Sequence, residues 1–187
     1  AILGGVELLL HSKLNKEQRI HANITREAGS ALLNTINDIL DFSKIEAGQM
    51  VLESNEFEPD KLVAQVLQIL EPKAYDKGLQ LVSFVDRNVP QTLLGDRQQL
   101  NQVIHNLVDN AIKFSVSGTI TVEMWIADNQ QSLMQLFCRV TDSGIGISEE
   151  AQSKLFKEFS QVHDTHNTNY KGTGLGLAIC RELITMM

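Results

Sequence analysis

Between Ile20 and Leu40 the chain sets Ile20, Ile24, Ala28, Leu32, Ile36, Ile39 and Leu40 along one stripe of a helix. A stripe this long suits a bundle or coiled-coil seam. Ahead of it, Ile2, Leu3, Val6, Leu9 and Leu10 also recur at helical spacing, and residues 11–14 break the pattern. Asn15 followed by Gln18 reads as a capping box that opens the second helix. A hairpin of two helices cannot cover the stripe alone. A second copy of the chain would, giving a dimeric four-helix bundle. The alternative is an ordinary core helix folded against the rest of the same chain.

The helical pattern stops at Gly48 and the polar run Glu53 to Glu56, which places a domain boundary near residues 48 to 52. Two domains are therefore expected, over 1–50 and 51–187. Pro59 can start a helix that continues through Leu62, Val63, Val66, Leu67 and Leu70. Leu79 to Val85 alternates like a strand, and Asp96 can cap a helix running to about Ser115. Thr119 to Ala127 and Leu133 to Thr141 read as two strands joined by a turn at Asp128 and Asn129. Glu149 to Phe156 reads as a short helix, Ser160 to Lys171 as a polar stretch, and Gly174 to Met187 as a last helix. The sum is an α+β sandwich, with helices on one face of a mixed sheet.

Three short segments carry the chemistry. On the helix after Asp96, Asn106, Asn110 and Lys113 are spaced by four and three residues, which puts them on one face. The other face is Val103, Ile104, Leu107, Val108 and Ala111, able to pack on the sheet. Asparagine offers neutral oxygens to Mg²⁺, which keeps its waters and bridges phosphates. Taken alone, the segment also reads as a solvated helix face. In the second segment, Asp142 precedes Gly144 and Gly146 at a strand end. A buried carboxylate there would accept a hydrogen bond from an adenine amino group and reject bases lacking that donor. The plain reading is a turn. In the third, Gly172, Gly174 and Gly176 lead into the final helix. Exposed N–H groups at a helix start, with glycine permitting close approach, make an anion site. The dipole effect is worth roughly 0.3–2 kcal/mol, and binding near 100 μM needs about 5–6 kcal/mol. The loop therefore needs the lysine, the metal and the base contact beside it. In this order the three segments form one ATP site. No G-x-x-x-x-G-K-[ST] run is present, which excludes a P-loop enzyme.

A formal net charge of −7 argues against a nucleic-acid partner. No apolar run is long enough to span a bilayer, so no direct membrane contact is expected. Cys138 and Cys180 sit in apolar runs and read as buried reduced thiols.

The residues together resemble the catalytic region of sensor histidine kinases of two-component systems. Gly95 to Ser115 resembles the family's N box, Asp142 to Ile147 its G1 box, Leu155 to Gln161 its F box, and Gly172 to Leu177 its G2 box. Asp38 to Gly48 resembles the second helix of the dimerisation and phosphoacceptor hairpin, in a form common among hybrid sensor kinases. The resemblance implies a Bergerat-type ATP fold and the cofactors ATP and Mg²⁺. It implies Asn110 as metal ligand with Asn106 beside it, and Lys113 on phosphate. Phe114 would lie against the adenine, whose amino group meets Asp142. Gly144, Gly146, Gly172, Thr173, Gly174, Leu175 and Gly176 would shape the pocket, with 159–171 as an ATP lid. It further implies a homodimer through the hairpin, phosphorylation of a histidine, and transfer to an aspartate of a response-regulator receiver domain. A cytoplasmic domain of a membrane-anchored parent is expected.

Two departures stand out. By analogy with the family motif, the acceptor histidine would fall about eight residues before Ala1, so the fragment as given is not expected to phosphorylate itself. The family's sheet also continues after the last helix, where this chain stops at Met187. His11, His21, His105, His163 and His166 do not stand where the acceptor would. A dimeric nucleotide-binding scaffold without kinase activity is the alternative. A gyrase- or chaperone-type ATPase is disfavoured, because those enzymes use a glutamate base where Asn106 stands.

Overall fold

The computed structural model describes residues 1–127, 134–158, 160 and 173–187. They fall into two compact units, Ala1–Met50 and Val51–Met187.

The first unit is a helical hairpin of α1 (Ile2–Leu10) and α2 (Lys16–Glu46). The capping box is formed in both directions. Gln18 N donates to Asn15 Oδ1 at 2.8 Å, and Asn15 N donates to Gln18 Oε1 at 3.0 Å. Gly29 lets the helices approach, since a Cβ there would fall 2.7 Å from Leu3 Cδ2. Val6 of α1 is buried, whereas α2 buries no residue. Ile24, Leu32, Ile36 and Leu40 are 45–62% exposed, so the apolar stripe is uncovered in the single chain. Gly48, at φ 63°, follows the helix end.

The second unit contains β1 (Asn55–Phe57), α3 (Pro59–Asp76), β2 (Leu79–Val85), β3 (Leu93–Gly95) and α4 (Arg97–Phe114). It continues with β4 (Gly118–Ala127), β5 (Gln135–Thr141), α5 (Glu149–Gln152) and α6 (Gly176–Met186). The sheet is mixed, in the order β2-β4-β5, with β2 parallel and β5 antiparallel to β4. Alternation on β4 sends Ile120, Val122 and Met124 into the core. Leu62, Val63, Val66 and Leu70 of α3 and Ile104, Val108 and Ile112 of α4 meet them there. The α+β architecture, with helices on one face of a mixed sheet, is the one expected.

Four local expectations need correction. β1 and β3 pair antiparallel as a second small sheet in stretches that carried no strand signal. The helix from Glu149 stops at Gln152 rather than Phe156. Lys154 N, Leu155 N and Lys157 N bond to carbonyls three residues back, so the chain tightens into turns. The last helix starts at Gly176, because Gly174 takes φ 73° and cannot be helical. On α4, Leu107 is only half-buried and Ile112 is fully buried. The expected turn at 128–129 lies outside the described residues. No helix among the described residues is long and apolar enough to cross a membrane.

Asp96 ties the small sheet to α4. It is 8% exposed. Its Oδ1 accepts from Gln99 N at 3.0 Å as the N-cap, and its Oδ2 accepts from Glu53 N at 2.9 Å. Asp96→Ala is expected to cost about 2 kcal/mol, from the lost cap and an orphaned N–H. Asp96→Asn retains the cap acceptor alone and should cost less. Urea unfolding of both variants checks the order.

Candidate functional site

Helix α4 is the spine on which the three motif segments meet. Its buried face fixes its rotation, and that leaves Asn106, Asn110 and Lys113 half-buried on another face. Lys77, just past α3, donates from Nζ to Ile112 O at 2.8 Å and Lys113 O at 2.9 Å. A cation therefore holds the carbonyls that end α4, where the helix dipole is negative.

The Asp142 turn docks at that same end. Gly144 sits so close that a Cβ would lie 2.7 Å from Phe114 O and 2.8 Å from Asp142 Oδ1. Ser143 Oγ donates to Ser117 O at 2.6 Å. Gly118, at φ 104°, leaves room for that hydroxyl. Gly146 takes φ 69°, which bends the chain away. Asp142 is exposed among the described residues, so the expected burial of its carboxylate is corrected. It follows β5, at the edge of the described sheet, and its Oδ1 accepts from Gly144 N at 2.8 Å.

The third segment meets α4 about two turns nearer its start. Gly176 opens α6 against Asn106, whose Nδ2 and Cγ lie 3.7 and 3.8 Å from the position a Cβ would take. Leu175 is buried, and its N–H donates to Thr173 Oγ1 at 3.2 Å. Gly174 turns the chain into the helix. Asn106 and Phe114 are separated by about 12 Å of helix, so α6 and the Asp142 turn bracket the face carrying Asn110 and Lys113. Gly172 and the segment expected as a lid, including His163, His166 and Lys171, lie outside the described residues, apart from Ser160.

Burial is the main cause that lowers the Lys113 pKa from its ordinary value; nearby Asp109 opposes it and Lys73 adds to it. The Lys113 ammonium lies 5.0 Å from the Phe114 ring centroid. Asp109 is ion-paired with Lys73 of α3. Burial also pushes the Cys138 thiol up to about 11, so it stays protonated at neutral pH. Cys180 is buried as expected, and Cys138 is only half-buried.

Sequence reasoning missed Lys77, Ser143 and Cys180. The spacing of Gly176 and Cys180, four apart on one helix, carried the signal for the last of these. A separate cleft of about 720 Å³ is lined by Phe84, Asp86, Arg87, Trp125 and Arg139 among others. None of its lining residues belongs to the three segments.

Residues 95–187, which contain all three segments, match the family described as Histidine kinase-, DNA gyrase B-, and HSP90-like ATPase. Hybrid signal transduction histidine kinase L of Dictyostelium discoideum is 40% identical over 183 residues, covering 98% of this chain and 11% of that protein. The chain belongs to the family of hybrid-type sensor histidine kinase catalytic domains. Full-length ShkA in complex with AMPPNP is 31% identical, with a TM-score of 0.77, and the match covers 100% of this chain and 37% of ShkA. Histidine kinase ThkA in complex with response regulator protein TrrA is 27% identical, with a TM-score of 0.61, covering 97% of this chain and 49% of that one. The chain spans between 9% and 22% of the length of these curated relatives.

The glycines of these segments are not equivalent. Gly144→Ala is expected to cost about 1–3 kcal/mol, because its Cβ would meet a backbone carbonyl that cannot move aside cheaply. Gly176→Ala places its Cβ at ordinary contact distance and should change stability by about 0.5 kcal/mol or less. Thermal unfolding of the two variants side by side tests the contrast.

Proposed function

We propose that this kinase chain binds Mg²⁺-ATP along α4 and delivers the γ-phosphoryl group to a histidine, for relay to an aspartate of a receiver domain. The observation that carries the reading is the double approach to α4: Gly144 to Phe114 at one end, and Gly176 to Asn106 nearer the other. The donor set fits magnesium, since Asn106 and Asn110 offer neutral oxygens on one helix face beside a lysine. When bound, the metal neutralises charge on the phosphate oxygens.

The chain's own residues would divide the work. Asn110, with Asn106 beside it, holds the metal side. Lys113 sets its ammonium at the phosphates. Phe114 lies against the adenine, and Asp142 accepts from its amino group with the oxygen not given to Gly144. Gly144, Gly146, Gly172, Thr173, Gly174, Leu175 and Gly176 shape the pocket. Positioning and charge neutralisation carry most of such a phosphoryl transfer. Asn106 has no basic group to activate water, which opposes rapid hydrolysis. The ATP analogue bound by ShkA and the response regulator bound by ThkA support the nucleotide and the partner.

Asp142→Asn and Asn110→Ala are each expected to weaken Mg²⁺-ATP binding by about tenfold. Isothermal titration calorimetry measures it, and unchanged affinity in both variants would remove the site assignment.

The uncovered stripe of α2 supports a homodimer built through the hairpin. Ile24→Asp together with Ile36→Asp should convert the dimer to a monomer in light scattering while nucleotide affinity holds. A wild-type chain that is monomeric at high concentration would refute the dimer.

A further inference from the structure

The Asn106 side chain has a partner that the metal reading does not use. Asn106 Nδ2 lies 3.7 Å from Sγ of Cys180 on α6, within reach of an N–H···S bond. The same sulfur lies 3.9 Å from Val103 O, one helical turn before Asn106, and donates its S–H there. Cys180 is 4% exposed, so its sulfur is shielded from solvent. Gly176, one turn earlier on α6, brings its backbone against the same amide.

These contacts select one of the two faces of the amide. With its proton committed to Val103 O, the sulfur turns its lone pairs to Asn106. An N–H can meet those lone pairs, whereas a carbonyl oxygen would be repelled by them. The two polar atoms of an amide diverge from Cγ. Fixing Nδ2 on the sulfur therefore directs Oδ1 away from α6. A metal needs that oxygen, and a flipped amide would offer it N–H groups instead.

We propose that Cys180 is a positioning residue: through its Val103 and Asn106 contacts it holds the Asn106 amide with its oxygen turned outward for the magnesium side of the site. The inference rests on the assignment of Asn106 to the metal side. A cysteine serving only as a small apolar filler would be replaced by alanine without specific effect. Serine keeps both a donor and an acceptor in nearly the same place.

The test compares Cys180→Ala, Cys180→Ser and Asn106→Ala in the full chain. The readouts are AMPPNP affinity with and without Mg²⁺, the melting temperature, and the ¹⁵N-edited side-chain NH₂ resonances of Asn106. Cys180→Ala is expected to lower the Mg²⁺-dependent gain in affinity about tenfold while sparing the metal-free affinity. Its Asn106 NH₂ resonances should shift, and Cys180→Ser should restore both. The proposal is overturned if Cys180→Ala keeps the full gain, or if both affinities fall together with the melting temperature. Should Cys180→Ala fail to fold, slow exchange of one Asn106 amide proton in the wild type supports the contact. Fast exchange of both protons refutes it. If Asn106→Ala also keeps the gain, the metal-side assignment of Asn106 falls. If only Asn106→Ala loses it, the role of Cys180 alone falls.

Discussion

The packing of α4 on β4 is the contact on which the rest depends. Ile104, Val108 and Ile112 are fully buried against Ile120, Val122 and Met124. A helix buried along that stripe has no freedom to rotate, because turning it by one residue would expose the stripe and bury polar groups instead. The directions of Asn106, Asn110 and Lys113 follow from that lock. Burial of apolar side chains, which has no chemistry of its own, sets the geometry of the polar face.

Charge then fixes the two ends of the helix. At the start, Asp96 gives one oxygen to the cap and the other to Glu53 N. At the finish, Lys77 takes the last carbonyls from outside the helix. An acid at the N-terminus and a cation at the C-terminus both oppose the macrodipole and resist fraying. The end held by Lys77 is also where the Asp142 turn docks. A frayed last turn would move Phe114 O, and the clearance that requires Gly144 would go with it.

Much of this was legible because it is local. The starts of α2, α3 and α4 follow from Asn15 with Gln18, Pro59 and Asp96, each of which acts within one turn. The shared face of Asn106, Asn110 and Lys113 follows from helical spacing alone. What could not be read depends on partners far away in sequence. β1 and β3 are three residues each, and of β1 only Phe57 is buried, so neither shows a period. The helix expected to reach Phe156 stops at Gln152, where three-residue turns take up the N–H groups of Lys154, Leu155 and Lys157. The partner of Asn106 lies 74 residues away. Asp142 lies just past the last residue of β5, so alternation within that strand does not predict its exposure.

A glycine-rich motif reads as one device in a sequence, but here it is several. Gly144 is required by proximity, because a carbonyl occupies the place of its Cβ. Gly146 and Gly174 are required by conformation, at φ 69° and 73° with no crowding at Gly146. Gly176 is required by neither, since its Cβ would meet Asn106 at an ordinary distance. Its position at the start of α6 instead spaces that helix at ordinary contact from the Asn106 amide. Proximity, conformation and spacing are different physical demands, and each would be relieved by a different substitution. A fold that places all three beside one locked helix makes the site depend on α4 more than on any single loop.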